Sequence, residues 1–200
     1  MAFAGERHSL TVTRASTGVP TSFQSKALIV QHGLQLSTLE QHPQIDLCID
    51  GADEVDDGLN CIKGGGAAML QEKIVAFNAA RFLVIADDRK NQKALGSAWK
   101  EGVPLEVLPL AYVPVMRAVE RLGGKPVLRM TKSSTKAGPV VTDNGNFVVD
   151  ADFGVIADAA KLNGDLSMIP GLIETGLFVR MATKAYFGKA DGTVAVREPR

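Results

Sequence analysis

The chain has 200 residues, and 46% of them are hydrophobic, which suffices to bury the core of one sizeable domain or of two small ones. Its 22 basic and 22 acidic residues cancel, and no basic stripe is present, which argues against nucleic acid or an anionic membrane as the main partner. No apolar stretch approaches the roughly 20 residues of a membrane span, and the N-terminus lacks the apolar core of a secretion signal. Cys48 and Cys61 have no metal-type spacing to a histidine, so we expect reduced thiols, no metal site and a cytoplasmic location.

The first clear helix signal follows an N-terminal stretch with little pattern. Thr21 and Gln24 have the spacing of a capping box and predict a helix over Phe23–Gln31. A second pair with this spacing, Ser37 and Glu40, predicts another short helix. Both helices would precede the first strand of the central unit.

A strand–helix–strand unit occupies the middle of the chain. Ile45–Ile49 and Phe82–Ala86 are short apolar runs typical of buried strands, and a helix is expected between Gly64 and Ala80. A helix between two strands forms a βαβ unit, whose strands are parallel.

Charged residues follow both predicted strands. Asp50 and Asp53 come after the first strand, and Lys90 comes shortly after the second. Ligands of open parallel sheets bind beyond the carboxyl ends of the strands, so the sequence predicts a ligand site here. The acidic run lacks the spacing of an EF-hand, and for Asp56 and Asp57 we interpret it as a solvated turn.

Glu72 and Lys73 are the only charged residues between Gly64 and Ala80. Their neighbours three and four positions away are apolar, which is typical of a buried helix. Burial would raise the pKa of Glu72, as a proton-transfer base near neutrality requires, although a buried structural ion pair is the alternative. Lys73 is expected to extend its ammonium to water.

Lys63 and three glycines, Gly64–Gly66, open the predicted helix. The segment matches neither the dinucleotide-binding G-x-G-x-x-G pattern nor a Walker loop. Free backbone N–H groups at such a helix start suit an anion or a sugar oxygen. By itself, a triple glycine is an unspecific signal, and a purely structural turn is the alternative.

The second half of the chain predicts a smaller α+β layer, after a short helix over residues 91–96. Its element order is strand, helix, strand, strand, helix, strand, which indicates a ferredoxin-like topology. The predicted segments are strands over 104–108, 126–130 and 172–178, helices over 113–122 and 156–168, and a hairpin turn at 143–145.

The last predicted element is a hairpin around Asp191–Gly192, which we expect to rejoin the first sheet. The fold class predicted from these elements is therefore α/β, with a Rossmann-like parallel sheet core and a smaller ferredoxin-like α+β lid. We expect the core to comprise residues 1–103 plus 177–200 and the lid to comprise residues 104–176.

The combination of motifs is more specific than any one of them. D-G-A-D-E, then K-G-G-G, then Q-E-K and a strand ending A-D-x-x-K resembles type A ribose-5-phosphate isomerase, most of all its animal form. P-T-S-F-Q, E-V-L-P, V-V-T-D-N-G-N-F-V-V-D and I-P-G are similar to family sequence as well. The resemblance extends from about Gly18 to the last hairpin.

The resemblance implies an aldose–ketose isomerase of the pentose phosphate pathway that interconverts ribose 5-phosphate and ribulose 5-phosphate. It implies no cofactor, a small sugar phosphate as the ligand, a Rossmann-like core with a smaller lid, and a homodimer or homotetramer.

The resemblance also implies a role for each matching residue. Glu72 matches the general base that moves a proton between C1 and C2 through an enediolate, and Lys63 matches the lysine that stabilises charge on the substrate oxygens. Asp50 and Asp53 match the acids that contact sugar hydroxyls and assist ring opening. The implied catalytic residues are Glu72, Asp50 and Lys63, and the implied substrate-binding residues are Asp50, Gly51, Ala52, Asp53, Lys63, Gly64, Gly65, Gly66 and Lys90.

One segment departs from the family pattern. Family members begin with a strand–loop–helix whose glycine loop, rich in serine and threonine, binds the substrate phosphate, and residues 1–19 do not reproduce it. We therefore expect weak or absent activity if the chain acts alone, and an unpaired sheet edge. The alternatives are an impaired member that binds sugar phosphates or pairs with a complete subunit, and another enzyme of the same broad fold, such as a coenzyme A transferase.

Overall fold

A computed structural model describes residues 16–132 and 137–199 of the chain. Within these ranges the elements, in chain order, are β1 (Thr17–Gly18), α1 (Phe23–Gln31), β2 (Gln35–Leu36), β3 (Cys48–Asp50), β4 (Glu54–Val55), β5 (Cys61–Ile62), α2 (Met69–Phe77), β6 (Phe82–Asp87), β7 (Val103–Val107), α3 (Tyr112–Arg121), β8 (Lys125–Leu128), β9 (Phe147–Asp152), α4 (Ala159–Ser167), β10 (Leu172–Thr175), β11 (Leu177–Phe178), β12 (Lys184–Gly188) and β13 (Val194–Arg197). None of the helices in the described ranges is long and apolar enough to cross a membrane.

The core sheet has the strand order β13-β12-β6-β3. Strands β3, β6 and β12 run parallel, and α2 lies in the chain between β3 and β6, so the predicted βαβ unit is confirmed. The short strands β4 and β5 come between β3 and α2. The hairpin of β12 and β13 joins this sheet through β6, also as predicted. The first strand begins at Cys48 rather than Ile45, which forms only an isolated bridge with Ala79.

The lid sheet is the antiparallel sheet β10-β7-β9-β8. Numbered by their own order in the chain, its strands are arranged 4-1-3-2, and α3 and α4 connect them in the predicted ferredoxin-like order. The turn before β9 lies at the predicted hairpin, where the Thr142 N–H donates to the Asn146 carbonyl at 2.8 Å. Gly145 has a φ of 79°, a conformation that glycine adopts without steric cost.

A third, three-stranded sheet has the strand order β11-β5-β4. Its strands β4 and β5 lie in the chain between core strands β3 and β6, and β11 directly follows lid strand β10. The single strand predicted over 172–178 is therefore wrong, because it divides at Gly176 between two sheets. The Gly176 N–H donates to the Pro104 carbonyl at 2.6 Å, and its carbonyl accepts the Lys63 N–H at 2.8 Å. A Cβ at position 176 would lie 2.2 Å from the Lys63 carbonyl oxygen, so only glycine fits this crossing.

Two local predictions near the N-terminus need correction. The capping box of α1 is formed by Ser22 and Ser25, one position later than the predicted Thr21 pair. The helix predicted from Ser37 is absent from the described ranges, because the Ser37 hydroxyl bonds to the side chains of Gln41 and His42 within a turn.

The helix predicted over residues 91–96 is also wrong. A 3₁₀ turn over Asp88–Lys90 follows β6 instead, and the segment after it is irregular. Glu54, fully buried at the start of β4, accepts hydrogen bonds from the backbone N–H groups of Gly96, Ala98 and Trp99. These bonds to a carboxylate compete with helical ones and fix an open loop.

Two apolar clusters stabilise the described part of the chain. One packs beneath the core sheet, around Phe82, Phe178 and Phe187. The other packs beneath the lid sheet and includes Ile62 and Leu177 of the three-stranded sheet. The three-stranded sheet therefore contributes side chains to both clusters. Lys63 directly follows its strand β5. Cys48 and Cys61 are buried and free, as expected of reduced thiols.

Candidate active site

Three charged side chains that the sequence singled out meet at the carboxyl end of β3. The Lys63 Nζ lies 3.0 Å from Asp50 Oδ2 and 3.2 Å from Glu72 Oε2, and it donates a hydrogen bond to the Gly51 carbonyl. Only 4% of the Lys63 side chain is exposed, so this ammonium depends on protein acceptors rather than water. The arrangement is a buried cation between two carboxylates.

Three separate elements deliver these groups. Asp50 is the last residue of β3, Lys63 directly follows β5, and Glu72 lies in the first turn of α2. The chain turns from β5 into α2 through the glycine loop, Gly64–Gly66. Gly64 has a φ of 99°, and a Cβ there would lie 2.8 Å from the Met69 Cε, so a side chain is excluded at this bend.

The electrostatics favour a proton-transfer role for Glu72. Burial raises the pKa of its carboxyl and the Asp50 charge raises it further, while Lys63 opposes both effects without cancelling them. Burial alone would lower the pKa of Lys63, but the attraction of Asp50 and Glu72 outweighs it, so the net pKa is raised. The site therefore combines a carboxyl of raised pKa with a lysine that stays charged.

Two carboxylate oxygens of the site have an ion-pair partner but no geometrically good hydrogen bond among the described residues. Asp50 Oδ2 and Glu72 Oε2 are both buried, and neither accepts a hydrogen bond of good geometry from the described residues. Both lie within ion-pair distance of the Lys63 ammonium, their charge partner, at 3.0 and 3.2 Å. Buried polar atoms usually have a partner, so such oxygens at a cleft are candidates for contact with a bound hydroxyl.

The charged cluster and the glycine loop line a cleft of about 230 Å³. Its lining residues are Asp50, Gly51, Ala52, Asp53, Lys63, Gly64, Gly65, Gly66 and Glu72, all of which the resemblance assigned to the site. The Gly65 N–H donates to Asp53 Oδ2 at 2.7 Å, which fixes the second aspartate against the loop. A Cβ at Gly65 would lie 2.7 Å from the Asp53 Oδ1, so a side chain there would displace that carboxylate.

Two lysines lie elsewhere than expected. Lys90 is not among the lining residues, and its Nζ lies 4.9 Å from the centroid of the Trp99 ring. Lys73 does not reach water as predicted, because its Nζ donates to Glu174 Oε1 at 2.6 Å and to Thr175. Burial lowers the pKa of Lys73 despite the Glu174 charge, so it is a buried structural cation next in sequence to Glu72.

Residues of the acidic run make structural contacts that the sequence did not predict. Asp56 accepts hydrogen bonds from Gly58 and Asn60, and Asp57 pairs with Arg197 at 2.7 Å, so neither is merely solvated. The D-x-G spacing from Asp56 to Gly58 is a signal that could have indicated the first of these turns. Glu54 gave no such signal, because nothing local distinguishes a buried acid within an acidic run.

Arg129 was also missed. Its guanidinium contacts the glycine loop from the lid sheet, 65 residues along the chain from Gly64.

Across the described ranges, no group of three or more histidine, cysteine, aspartate or glutamate side chains is arranged to hold a metal ion.

The fold and the cleft together define an α/β protein in which a buried cluster of two carboxylates and a lysine lies at the carboxyl end of a parallel strand. The chain belongs to the ribose 5-phosphate isomerase A (phosphoriboisomerase A) family, whose model matches residues 17–192. It is 58% identical over 181 residues to a ribose-5-phosphate isomerase of Sus scrofa and 57% identical over 181 residues to one of Homo sapiens. Both matches cover 90% of this chain and 58% of the relative, so the chain spans less than two thirds of their length.

Solved structures give the same assignment of family and fold. A ribose 5-phosphate isomerase A from Methanocaldococcus jannaschii superposes with a TM-score of 0.84 at 42% identity, covering 91% of this chain and 78% of that one. A D-ribose-5-phosphate isomerase in complex with phospho-erythronic acid superposes with a TM-score of 0.85 at 42% identity, covering 91% and 77%. The expectation about a phosphate loop concerns mainly residues 1–15, which lie outside the described ranges.

Proposed function

We propose that this chain is an aldose–ketose isomerase that interconverts D-ribose 5-phosphate and D-ribulose 5-phosphate. The observation that carries the proposal is the buried Glu72 carboxyl of raised pKa, which lies 3.2 Å from the Lys63 ammonium at the wall of a cleft. A carboxylate removes a proton beside a carbonyl most effectively when its pKa is close to the working pH. A fixed cation stabilises the oxygen charge that develops as that proton leaves.

The reaction needs only groups that the cleft contains. In the proposed mechanism Glu72 takes the proton from C2 of the open-chain aldose and returns it to C1, through an enediolate. Lys63 stabilises the negative oxygen of that intermediate, and Asp50 and Asp53 contact the hydroxyls and assist ring opening. For each carbon proton that leaves C2 one is returned to C1 by Glu72, and the hydroxyl proton of O2 passes to O1 as the double bond moves. The electron pair stays within the substrate, so the step balances without a redox partner, and we propose that no cofactor is used.

The ligand class has support from a structural neighbour. The isomerase that superposes with a TM-score of 0.85 is in complex with phospho-erythronic acid, a phosphorylated sugar acid whose carboxylate is planar like an enediolate. Gly51, Ala52 and the glycine loop provide backbone polar groups at the cleft that suit such oxygens. A substrate contact by Lys90 stays a prediction, because its ammonium lies against Trp99 outside the cleft lining.

The remaining expectations are part of the same proposal. We propose a role in the non-oxidative branch of the pentose phosphate pathway, a cytoplasmic location and a homodimer or homotetramer. We also propose a catalytic unit over residues 1–103 plus 177–200 and a lid over 104–176. The bond between the Gly176 N–H and the Pro104 carbonyl, at 2.6 Å, supports a division at these two neighbouring crossings.

The test is an isomerisation assay with two glutamate variants. Purified protein is incubated with ribose 5-phosphate in ²H₂O, and NMR follows ribulose 5-phosphate formation and deuterium entry at the carbons next to the carbonyl. Glu72→Gln should lower the rate about 10²–10⁴-fold, because an amide cannot accept the proton. Glu120→Gln, on the exposed side of α3, should retain the wild-type rate.

The outcomes separate the proposal from its alternative. Equal rates for wild type and Glu72→Gln would contradict the assigned base. No turnover by wild type, with ribose 5-phosphate still raising the melting temperature, would indicate a sugar-phosphate binder instead.

A further inference from the structure

The Arg129 guanidinium joins the lid sheet to the glycine loop. Arg129 follows β8, and its Nε and Nη2 donate to the two carboxylate oxygens of Asp150, at 2.8 and 2.5 Å. Its Nη1 donates to the carbonyl oxygens of Gly64 and Gly65, each at 3.0 Å. Both charged side chains are only 15% exposed, so the pair is shielded from water. One guanidinium therefore holds two successive peptide groups of the cleft wall.

The first of these peptide groups transmits the contact to Asp53. The Gly64 carbonyl and the Gly65 N–H belong to one peptide unit, and in a trans peptide they point in opposite directions. The carbonyl faces Arg129, and the N–H donates to Asp53 Oδ2 at 2.7 Å on the other side. The described chain contains no cis peptide bond, so this geometry applies here. Arg129 thereby sets the position of an aspartate that it does not touch.

The second peptide group leaves a donor free at the cleft. The Gly65 carbonyl faces Arg129, so the Gly66 N–H of the same unit points to the opposite side of the loop. Among the described residues this N–H has no hydrogen-bond acceptor, and Gly66 lines the cleft. A Cβ built at Gly66 would meet nothing within 4 Å, so the space beside it is open to a ligand.

We propose that Arg129, held in place by Asp150, is a positioning residue that orients the two glycine peptide groups for catalysis. It fixes Asp53 through the Gly65 N–H, and it turns the Gly66 N–H into a donor for a negatively charged substrate oxygen. The inference rests on the proposed isomerase function and deepens it. Arginine suits the task because its planar fork donates to a carboxylate in bidentate fashion while a further N–H reaches the carbonyls.

The first test measures hydrogen exchange in the glycine loop and does not depend on enzyme activity. Protein labelled with ¹⁵N-glycine is compared as wild type, Arg129→Lys and Arg129→Met, with hydrogen exchange read at the Gly65 amide. We expect exchange about 10-fold faster in both variants, because the Gly65 amide loses most of the stabilisation that its hydrogen bond to Asp53 provides. Arg197→Met is the matched control, since it breaks an arginine–aspartate pair that does not contact the cleft. Unchanged Gly65 protection in the Arg129 variants would overturn the proposal.

The second test follows the Gly66 amide during titration with phospho-erythronic acid. Its resonance should shift on binding in wild type and in Arg197→Met, and the shift should be lost in Arg129→Lys. A wild-type Gly66 amide that does not respond to saturating ligand would overturn its role as a donor.

Kinetics provide the third test. Arg129→Lys keeps the charge but loses the fork, and we expect kcat to fall about 100-fold, as for a small misplacement of reacting groups, with a smaller change in KM. The melting temperature should stay close to that of Arg197→Met. A fall in kcat matched by Arg197→Met would overturn positioning by Arg129. If wild type itself does not isomerise ribose 5-phosphate, the proposed function fails, while the Gly65 exchange result still decides whether Arg129 orients the loop.

Discussion

Two buried lysines of this chain lie against the same aromatic ring and differ in what surrounds them. The Nζ atoms of Lys63 and Lys73 are 5.3 and 5.0 Å from the centroid of Phe178. Burial alone lowers the pKa of both. At Lys63 the two carboxylates of the cleft outweigh burial and raise the pKa, whereas the single carboxylate beside Lys73, that of Glu174, does not. The number of facing carboxylates decides the direction.

The two sites differ equally in their hydrogen bonds. Lys73 Nζ donates to Glu174 Oε1, the Thr175 carbonyl and the Thr175 hydroxyl, at 2.6, 2.7 and 3.1 Å, which uses all three of its donors. Around Lys63, one buried oxygen of Asp50 and one of Glu72 accept no hydrogen bond of good geometry from the described residues. The Lys73 cluster is therefore closed by protein partners, whereas the Lys63 cluster at the cleft holds its two carboxylates by ion pairs to one ammonium.

Removing the cleft lysine should produce the largest effect. We expect Lys63→Met to lower the isomerase rate by about 10²–10³-fold, the cost of losing one group that stabilises an oxyanion. The acid limb of its residual activity should also lie at higher pH, because Lys63 lowers the pKa of Glu72. Steady-state kinetics over a pH series measure both effects, with Lys161→Met, an exposed lysine paired with Asp165, as the control. A Lys63→Met enzyme as active as the Lys161→Met control would contradict the proposed role of Lys63 in catalysis.

Removing the other lysine should affect stability instead. Lys73→Met leaves Glu174, whose side chain is only 24% exposed, without its cation, so the free energy of unfolding should fall by about 1–3 kcal/mol. The double variant Lys73→Met with Glu174→Met should recover part of that loss, because no unpaired charge remains. Urea unfolding gives the three free energies, and kcat of the folded fraction should stay within a few-fold of wild type. A double variant less stable than both single variants would show that the pair itself, rather than its broken state, decides stability.

Two neighbouring glycines of the loop should respond differently to the same substitution. In Gly65→Ala the new methyl group would lie 2.7 Å from the Asp53 Oδ1, and we expect a destabilisation of about 1–3 kcal/mol. In Gly66→Ala the methyl group would meet nothing within 4 Å, so stability should remain close to wild type. Thermal unfolding of the two variants makes the comparison. Equal destabilisation would mean that backbone freedom, rather than contact with Asp53, determines the need for glycine.

The smallest effect concerns pH. Burial raises the pKa of Glu72 above the ordinary glutamate value of 4.5, and a base works only when deprotonated, so kcat/KM should fall on acidification at a pH above 4.5. The same shift has the opposite sign for folding: its contribution to stability is present below the unfolded pKa and is lost as pH rises through the folded one. Activity and this stability contribution should therefore change in opposite directions over the same window. An acid limb centred at or below 4.5 would contradict the raised pKa.

The sequence was sufficient for the cleft because its residues are close together in the chain. Every lining residue lies between Asp50 and Glu72, so one motif, two strand ends and one glycine loop identify them all. The order of strands and helices likewise predicted the core sheet and the ferredoxin-like lid sheet, since each element carries its own apolar pattern.

What the sequence could not provide depends on distant partners. Lys73 was expected in water, and its acceptor Glu174 lies 101 residues away. Glu54 holds a loop more than 40 residues later, which replaced a helix that local spacing favoured. The capping box lies one position later than predicted, because Ser25, which is not the glutamate or glutamine of the usual pattern, bonds to Ser22.

The crossing at Gly176 limits how sequences that build this architecture can vary. A backbone carbonyl of the lysine-bearing segment occupies the place where any side chain at 176 would begin, at 2.2 Å from the would-be Cβ. Only a residue of zero side-chain volume is compatible with that approach. In a distant relative, any residue other than glycine aligned with position 176 would indicate that the strand corresponding to β11 follows a different path. A sequence alignment is enough to detect it.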